Sequence, residues 1–489
     1  MAEKKLEDII FNEWQKGIGP SPYLGYADMQ NVNIEDKPGV LMCGLQATKE
    51  SGTTITNLPT WIVINPSTGN HYALDTDGKL YKSTDDGDTW ALVSGNTLPS
   101  AGAGGQGLAI WKSYLFVARA STLDVMKISD ETWTNGWQTV DTDSDFHPMI
   151  ATQDDKLTGG AGRYIFTVAE AAGQTFAPGN GATFTFTAQK LTLPALYKVK
   201  CLAELGLDLK IGTWIGSNLT DVKGGVIFGW DRVSTSYAGS RTIFISENGI
   251  NSMIAVSGRL YFVAGVRSNL YVTGGGPPQL IAEWKSIDFP FGSHTAPRPG
   301  AIAYHKGKII IGLSAGSSAS PMGIYSYNIT TGAKKLENAI SAASTASNIV
   351  IGAIFSVNDQ IYLIGWQQST AQGIDMVGNS GYRVTSYGAY VDTDFRRVGL
   401  ASEKRTTGEI HITLGRDLAA NQGVRVKYRK ALDDAFTTLG TYDHDTYGAV
   451  HEIVMGHGIA DMSNVQLRIE LTTGSSDTTT PELEEIRLR

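Results

Sequence analysis

The chain has 489 residues, 40 Lys and Arg against 48 Asp and Glu, and a net charge of -8; that length is enough for two or three domains, or for one long all-β domain with an appendage. Only 18% of residues are charged, against about 25% in typical globular proteins, and no basic block supplies a nucleic-acid footprint. Cys43 and Cys201 are far apart and form no CxxC or Cys/His spacing, which gives no support to a disulfide framework or a zinc site and leaves two buried thiols as the expectation.

The first twenty residues, MAEKKLEDIIFNEWQKGIGP, contain no apolar core of signal-peptide length, and no apolar run approaches the roughly 18 residues of a membrane span. A protein made in the cytoplasm with no membrane span is expected. Glycine is in excess, 56 residues, beside 20 Tyr and 10 Trp; glycine suits tight turns and aromatic residues suit sheet faces, so many short strands are expected.

In chain order, residues 4 to 16 read as a short amphipathic helix, with Leu6, Ile9, Ile10 and Trp14 at helical spacing and Gly17-Ile-Gly-Pro20 as a stop. Such a helix needs a surface, either on its own domain or, as an arm, on a neighbouring subunit. An extended lead-in, "DMQNVNIEDKPGV" (28 to 40), follows, and residues 1–56 are assigned to this arm.

From residue 57 a unit recurs: an apolar strand, a tight polar turn, a second apolar strand and a further short strand. Seven versions align on Gly69, Ser113, Asp155, Leu207, Gly258, Gly307 and Asp359, at intervals of 42 to 52 residues. A period near 40 to 50 residues with about four strands is that of propeller blades, which stack to bury both faces. Residues 57–378 are therefore expected to form a β-propeller of six or seven blades. The third unit fits least well, and "AGQTFAPGNGATFTFTAQKLTL" after it reads as an inserted hairpin.

Beyond 379, "GEIHITLG", "GVRVKYRKA", "GAVHEIVMG", "NVQLRIELT" and "PELEEIRLR" alternate with period two between turn-forming runs. That pattern suits an antiparallel β-sandwich over 379–489, with Arg425, Lys427, Arg429, Arg468 and Glu470 on a wet face. The fold class expected is all-β: propeller, C-terminal sandwich and short N-terminal helical arm.

One stretch carries a specific motif. "STDDGDTW" supplies Ser83, Asp85, Gly87, Thr89 and Trp90 and resembles the Asp-box of sialidases and related glycan-processing propellers. Its residues all serve to make a turn. The Asp accepts backbone N–H bonds, the Gly takes a conformation a Cβ opposes, and the Trp fills the space between strands. The resemblance implies a hairpin locked at a blade edge, away from any catalytic face; "SDETW" (129 to 133) is a degenerate second copy. A sialidase also needs an arginine cluster and an early Arg-Ile-Pro type motif, whereas the first arginine here is Arg119. A carboxylate pair at suitable separation would serve another glycosidase, but 48 acidic residues nominate none.

The other matches to reactive motifs are weak. Gly102 to Gly107 fits GxGxxG but is followed by a strand pair, where a dinucleotide site needs a helix. His451 and His457 are six apart on an alternating strand and cannot share a helix face as HExxH does. Asp443-His444-Asp445 reads as a solvated turn, and His305 as a blade-edge residue. No catalytic, cofactor-binding or metal residues are assigned, no cofactor is expected, and a non-enzymatic protein is the expectation.

The order of arm, "NVNI" lead-in with Asn31, Asn33, Pro38 and Gly39, propeller, and sandwich closing on Ile486-Arg-Leu-Arg489 resembles the tail nozzle, or packaged-DNA stabilisation, proteins of short-tailed P22-like bacteriophages. The resemblance implies a structural virion protein of the tail, made in the host cytoplasm. It implies a homo-oligomeric ring, six-fold in that family, below the adaptor and among other tail proteins, which continues the DNA channel and retains the genome until ejection. Double-stranded DNA would be a transiting, non-specific cargo. Few basic residues fit a conduit that does not hold DNA, since phosphate-neutralising side chains bind through counterion release. The alternative is a glycan-binding or glycan-cleaving propeller, such as a receptor-binding or sialidase-like protein.

Overall fold

A computed structural model describes residues 8–19, 26–52, 55–94, 104–141, 146–170, 184–215, 224–284, 294–315, 322–338, 340–341, 349–382, 388–397, 408–456, 459, 464–473 and 479–489. The repeat seen in the sequence folds into antiparallel four-stranded sheets whose strands follow chain order. Blade 1 is Pro59–Ile64, His71–Asp75, Leu80–Ser83 and Thr89–Leu92; blade 2 is Gly107–Trp111, Tyr114–Ala118, Thr122–Lys127 and Thr132–Thr139. Blade 3 runs through Met149–Thr152, Lys156–Ala161, Tyr164–Glu170 and Phe184–Thr192, and blade 4 through Lys198–Leu205, Asp208–Trp214, Gly225–Trp230 and Ala238–Ile245. Blade 5 holds Ile250–Val256, Arg259–Ala264, Asn269–Thr273 and Gln279–Ala282; blade 6 holds Ile302–His305, Lys308–Ala315, Gly323–Asn328 and Lys334–Asn338. Blade 7 has Ile349–Ser356, Tyr362–Gln368 and Ala371–Tyr382, and takes its fourth strand, Leu45–Lys49, from near the N-terminus.

All seven anchor residues lie in the turn between the first and second strands of a blade. Several of these turns are two-residue loops, as at Ser257-Gly258 (φ 49° and 73°) and Lys306-Gly307 (φ 48° and 75°). Positive φ at both positions gives the turn a twist that matches paired strands. The third unit, which fitted least well, is a regular blade: "KLTGGAGRYIF" forms its second and third strands around Gly162-Arg163, and Phe184–Thr192 is its outermost strand.

The seven first strands lie innermost, each beside the next, and that of blade 7 lies beside that of blade 1. The ring is therefore closed with seven blades. Closure is tight at Gly352, where an added Cβ would overlap the Pro59 carbonyl oxygen. The chain reaches this junction twice, because Leu45–Lys49 completes blade 7 and Ser51–Gly52 then runs parallel to Thr89-Trp90 of blade 1.

The sandwich has two sheets. One is ordered Ile9–Phe11, Leu483–Leu488, Ile410–Leu414, Glu452–Met455; the other is ordered Thr437–Asp443, Gly423–Arg429, Asn464–Thr472, Ala389–Asp392, Asp28–Gln30. Alternating residues point inward and form one core: Ile410, Ile412 and Leu414 face Val424, Val426, Leu467, Ile469 and Leu471. The second sheet continues into the propeller, because Gln30 pairs in parallel with Leu336 on the outer strand of blade 6.

The N-terminus corrects two expectations. Residues 9–16 are not a helix: Ile9–Phe11 is a strand antiparallel to Leu483–Leu488, and Trp14–Lys16 is a single 3-10 turn. Trp14 is fully buried in the sandwich core, its Nε1 donates to the Glu484 carbonyl at 2.8 Å, and it stacks on Tyr26. The exposed edge of the C-terminal strand offers backbone hydrogen bonds over a longer-range core, and that outweighs a helix too short to be stable alone. Trp14 is thus spent on its own chain and is not free to dock elsewhere; Ile9 is part-buried, Ile10 is exposed and Leu6 lies outside the described residues. Nor is 1–56 one arm, since strands Ile9–Phe11 and Asp28–Gln30 join the sandwich sheets and Leu45–Lys49 and Ser51–Gly52 join the propeller, and blade 7 runs to Tyr382.

Candidate functional site

In blades 1 and 2 the antiparallel order puts the first-to-second and third-to-fourth turns at one end of the ring and the second-to-third turn at the other. The Asp-box joins the third and fourth strands of blade 1 at the first end. Asp85 accepts from the Thr89 amide at 2.9 Å, from the Thr89 hydroxyl, and from Ser83 Oγ at 2.8 Å; Ser83 Oγ accepts the Gly87 N–H at 3.0 Å. Partial burial pushes the Asp85 carboxyl up, but these donors outweigh it and hold the group below its ordinary range. Trp90 is buried and donates to the Gly87 carbonyl at 3.0 Å.

Gly87 has φ +100°, and a Cβ there would stand 2.5 Å from Leu363 of blade 7. The motif thus folds its own turn and seats it at the junction of the first and last blades. The degenerate copy occupies the same place in blade 2: Asp130, its carboxyl lowered to about 2 by Lys127 and then Thr132, accepts from the Thr132 amide at 3.1 Å.

The opposite end gathers aromatic rings and cations around the inner strands of blades 3 to 6. Phe146 and Trp214 meet edge to face at 5.9 Å. The Lys200 ammonium sits 5.3 Å and 5.5 Å from their centroids and donates to Asn251 Oδ1 at 2.7 Å, while Arg298 covers Phe146 at 5.7 Å. These contacts tie together residues on, before and beside the first strands of blades 3 to 6. Arg119, the first arginine of the sequence, is buried in an ion pair with Asp124 at 2.6 Å.

The charged face of the second sandwich sheet is a ladder. Arg425 and Lys427 both pair with Glu470, and Arg468 makes two 2.6 Å bonds to Asp392 while stacking on Tyr390 and Phe436. Tyr390 donates to Asp28 at 3.0 Å. The expected shared face exists and is wet in part: Arg425, Lys427 and Arg468 are partly exposed, whereas Arg429 and Glu470 are buried, as are Asp28 and Asp392 beside them. Burial first, and the nearby Asp392 second, push the Asp28 carboxyl up to about 7. Sequence reasoning missed Asp28, Tyr390 and Asp392; the alternation in Ala389-Tyr-Val-Asp392 is the only local sign, and their pairing depends on a strand from the far end of the chain.

The remaining motif matches resolve into structure. Gly105 and Gly107 sit where Cβ atoms would overlap the Asp75 and His147 carbonyl oxygens, and a strand follows; Gly102 lies outside the described residues. His451 is exposed beside Asp417 at 3.8 Å, and His457 lies outside the described residues. Asp443 caps a one-turn helix through the Thr446 amide at 2.8 Å. His305 is buried against Tyr362 with Nδ1 3.0 Å from Ser356 Oγ, and burial lowers its pKa to about 4. Cys43 and Cys201 are free, buried thiols. Among the described residues no group of three His, Cys, Asp or Glu is placed to hold a metal, and no helix is long and apolar enough to cross a membrane.

No family model matches the sequence, and neither does any curated protein. Similar solved structures include the Cps50 (Swd1) β-propeller domain of Myceliophteria thermophila, 11% identical over 67% of this chain and 99% of that one, with a TM-score of 0.45. The Dos1 propeller is 10% identical over 70% and 98%, at 0.46. The extracellular domain of the putative hybrid two component system BT4673 from B. thetaiotaomicron is 14% identical over 78% of this chain and 45% of that one, at 0.46. The propeller assignment itself rests on the sheet order and the closed ring of first strands.

Proposed function

We propose that this chain is a non-enzymatic structural protein of a short-tailed phage virion, a tail nozzle or hub. It forms a homo-oligomeric ring, six-fold by the resemblance of domain order, that continues the DNA channel below an adaptor and retains the genome until ejection. The observation that supports this reading is the way the two domains are joined. The lead-in strand Asp28–Gln30 pairs on one side with the sandwich strand Ala389–Asp392 and on the other with blade 6. Propeller and sandwich are thereby coupled through backbone hydrogen bonds, as a stacked conduit under pressure requires, where a linker would leave domain motion as the default.

The native mass of the purified protein, with negative-stain images of the same sample, tests the reading. Six copies of 52.5 kDa, about 315 kDa, in a ring with a central opening are expected, alone or after addition of the adaptor. A chain that stays monomeric in both conditions overturns it.

A second reading, a glycan-binding or glycan-cleaving propeller, draws on the Asp-box turn, whose geometry is of the kind the glycan-processing propellers use. Its support is architectural, since Asp85 and Trp90 are spent on the turn. Saturable glycan binding or sugar release that a propeller substitution abolishes would bring it forward.

A further inference from the structure

Where the N-terminal strand and its 3-10 turn meet the segment after Asp392, they enclose a cavity of about 210 Å³. Its lining is mostly polar, with Asn12, Glu13, Lys16, Thr393, Asp394 and Arg396 around it, and Phe11 and Tyr26 border it with rings that are buried in the core. Glu13 and Lys16 pair with each other on the exposed rim. Asp394 is different: it is 7% exposed, and its Oδ2 is buried with no hydrogen-bond partner. Burial pushes that carboxyl up to about 6, against the pull of Arg396. Arg396 itself lies over the Phe11 ring at 5.9 Å.

A buried acceptor left without a donor costs stability unless something supplies one. The cavity is balanced in charge, two carboxyls against two cations, so a charged ligand would gain on one side and lose on the other. It offers acceptors and donors from a polar lining, in a volume below the roughly 300 Å³ at which drug-sized pockets begin. We propose that this cavity binds a neutral, hydroxyl-rich ligand the size of one sugar ring, either a free monosaccharide or the terminal residue of a glycan, with a ligand hydroxyl donating to Asp394 and a ligand oxygen accepting from Arg396. The site is in the sandwich and is independent of whether the chain forms a ring.

The test uses the full-length protein and calorimetric titration with D-glucose, D-galactose, D-mannose, N-acetyl-D-glucosamine and L-rhamnose, with methylammonium and acetate as charged controls. Saturable binding of at least one sugar is expected, weakened tenfold or more in both Asp394→Leu and Arg396→Ala, with no binding of the controls. Removing an unpartnered carboxyl should leave the melting temperature of Asp394→Leu unchanged or raised, which guards the comparison against misfolding. Repeating the titration with an oligosaccharide ending in the sugar that binds separates the sources: tighter binding assigns the site to a glycan terminus, and loss of binding to the free sugar. Absence of binding to every sugar, equal binding by wild type and both variants, or binding of a charged control alone would overturn the proposal.

Discussion

At the scale of single residues, the roles are decided by which hydrogen bonds each group is left with. Asp85 holds the Asp-box turn through Ser83 and Thr89, so Asp85→Ala should lower stability by about 1–3 kcal/mol, read from the urea midpoint, with assembly unaltered at temperatures where the chain is folded. Asp28 gives a pH prediction. Its folded pKa of about 7 lies above the ordinary 3.8, so between these values the folded state holds the proton and the unfolded state does not. The contribution to stability is therefore full below about pH 4 and is lost as pH rises through about 7. The groups around it are Asp392, Tyr390, Gln30 and Arg468. Asp28→Asn keeps the acceptor for Met29 and removes the charge; it should stabilise the protein by about 2 kcal/mol at pH 8 and by much less at pH 5, measured as melting temperatures at the two values.

At the scale of elements, the seven first hairpins were legible because a short polar turn between apolar strands is a local signal, and in the two-residue turns the residues that set the twist are the residues in the turn. The five C-terminal strands were legible because their apolar residues alternate, and these alternate residues, such as Ile410, Ile412 and Leu414 or Leu467, Ile469 and Leu471, are the ones in the core. The N-terminal segment was not. Ile9, Ile10 and Trp14 satisfy helical spacing, and nothing local announces that a strand edge at the other end of the chain, Leu483–Leu488, awaits Ile9–Phe11. Trp14→Ala should accordingly cost about 3–5 kcal/mol in the unfolding of the sandwich. Deleting residues 1–16, which an inter-subunit arm would tolerate, should lower the melting temperature of the isolated chain. A deletion that leaves the isolated chain's stability unchanged and weakens only its assembly would restore the arm.

At the scale of the whole molecule, the ring is closed by residues from both ends of the repeat. Leu45–Lys49 completes blade 7, and Gly352 lets its first strand meet Pro59 of blade 1. Gly352→Val should therefore act on closure more than on any one blade, lowering the denaturation midpoint and exposing the blade 1 and blade 7 junction to protease before the other blades. The same closure brings the Asp-box against Leu363, so a motif read in blade 1 is completed by a residue of blade 7. Its structural role was legible in the sequence; its partner was not.

By itself, the sequence determined the repeat, its period and turns, the alternation of the sandwich and the turn-forming work of Asp85, Gly87 and Trp90, because each depends on contacts a few residues apart. Tertiary structure decided the rest: seven blades closed by an N-terminal strand, the sandwich core around Trp14, the part-buried ladder of Asp28, Tyr390 and Arg468, and the cavity at Asp394. Each of these is made by strands distant in the chain whose pairing edges carry no local mark, so the hydrogen bonds and burial that select them exist only once the backbone has returned to itself.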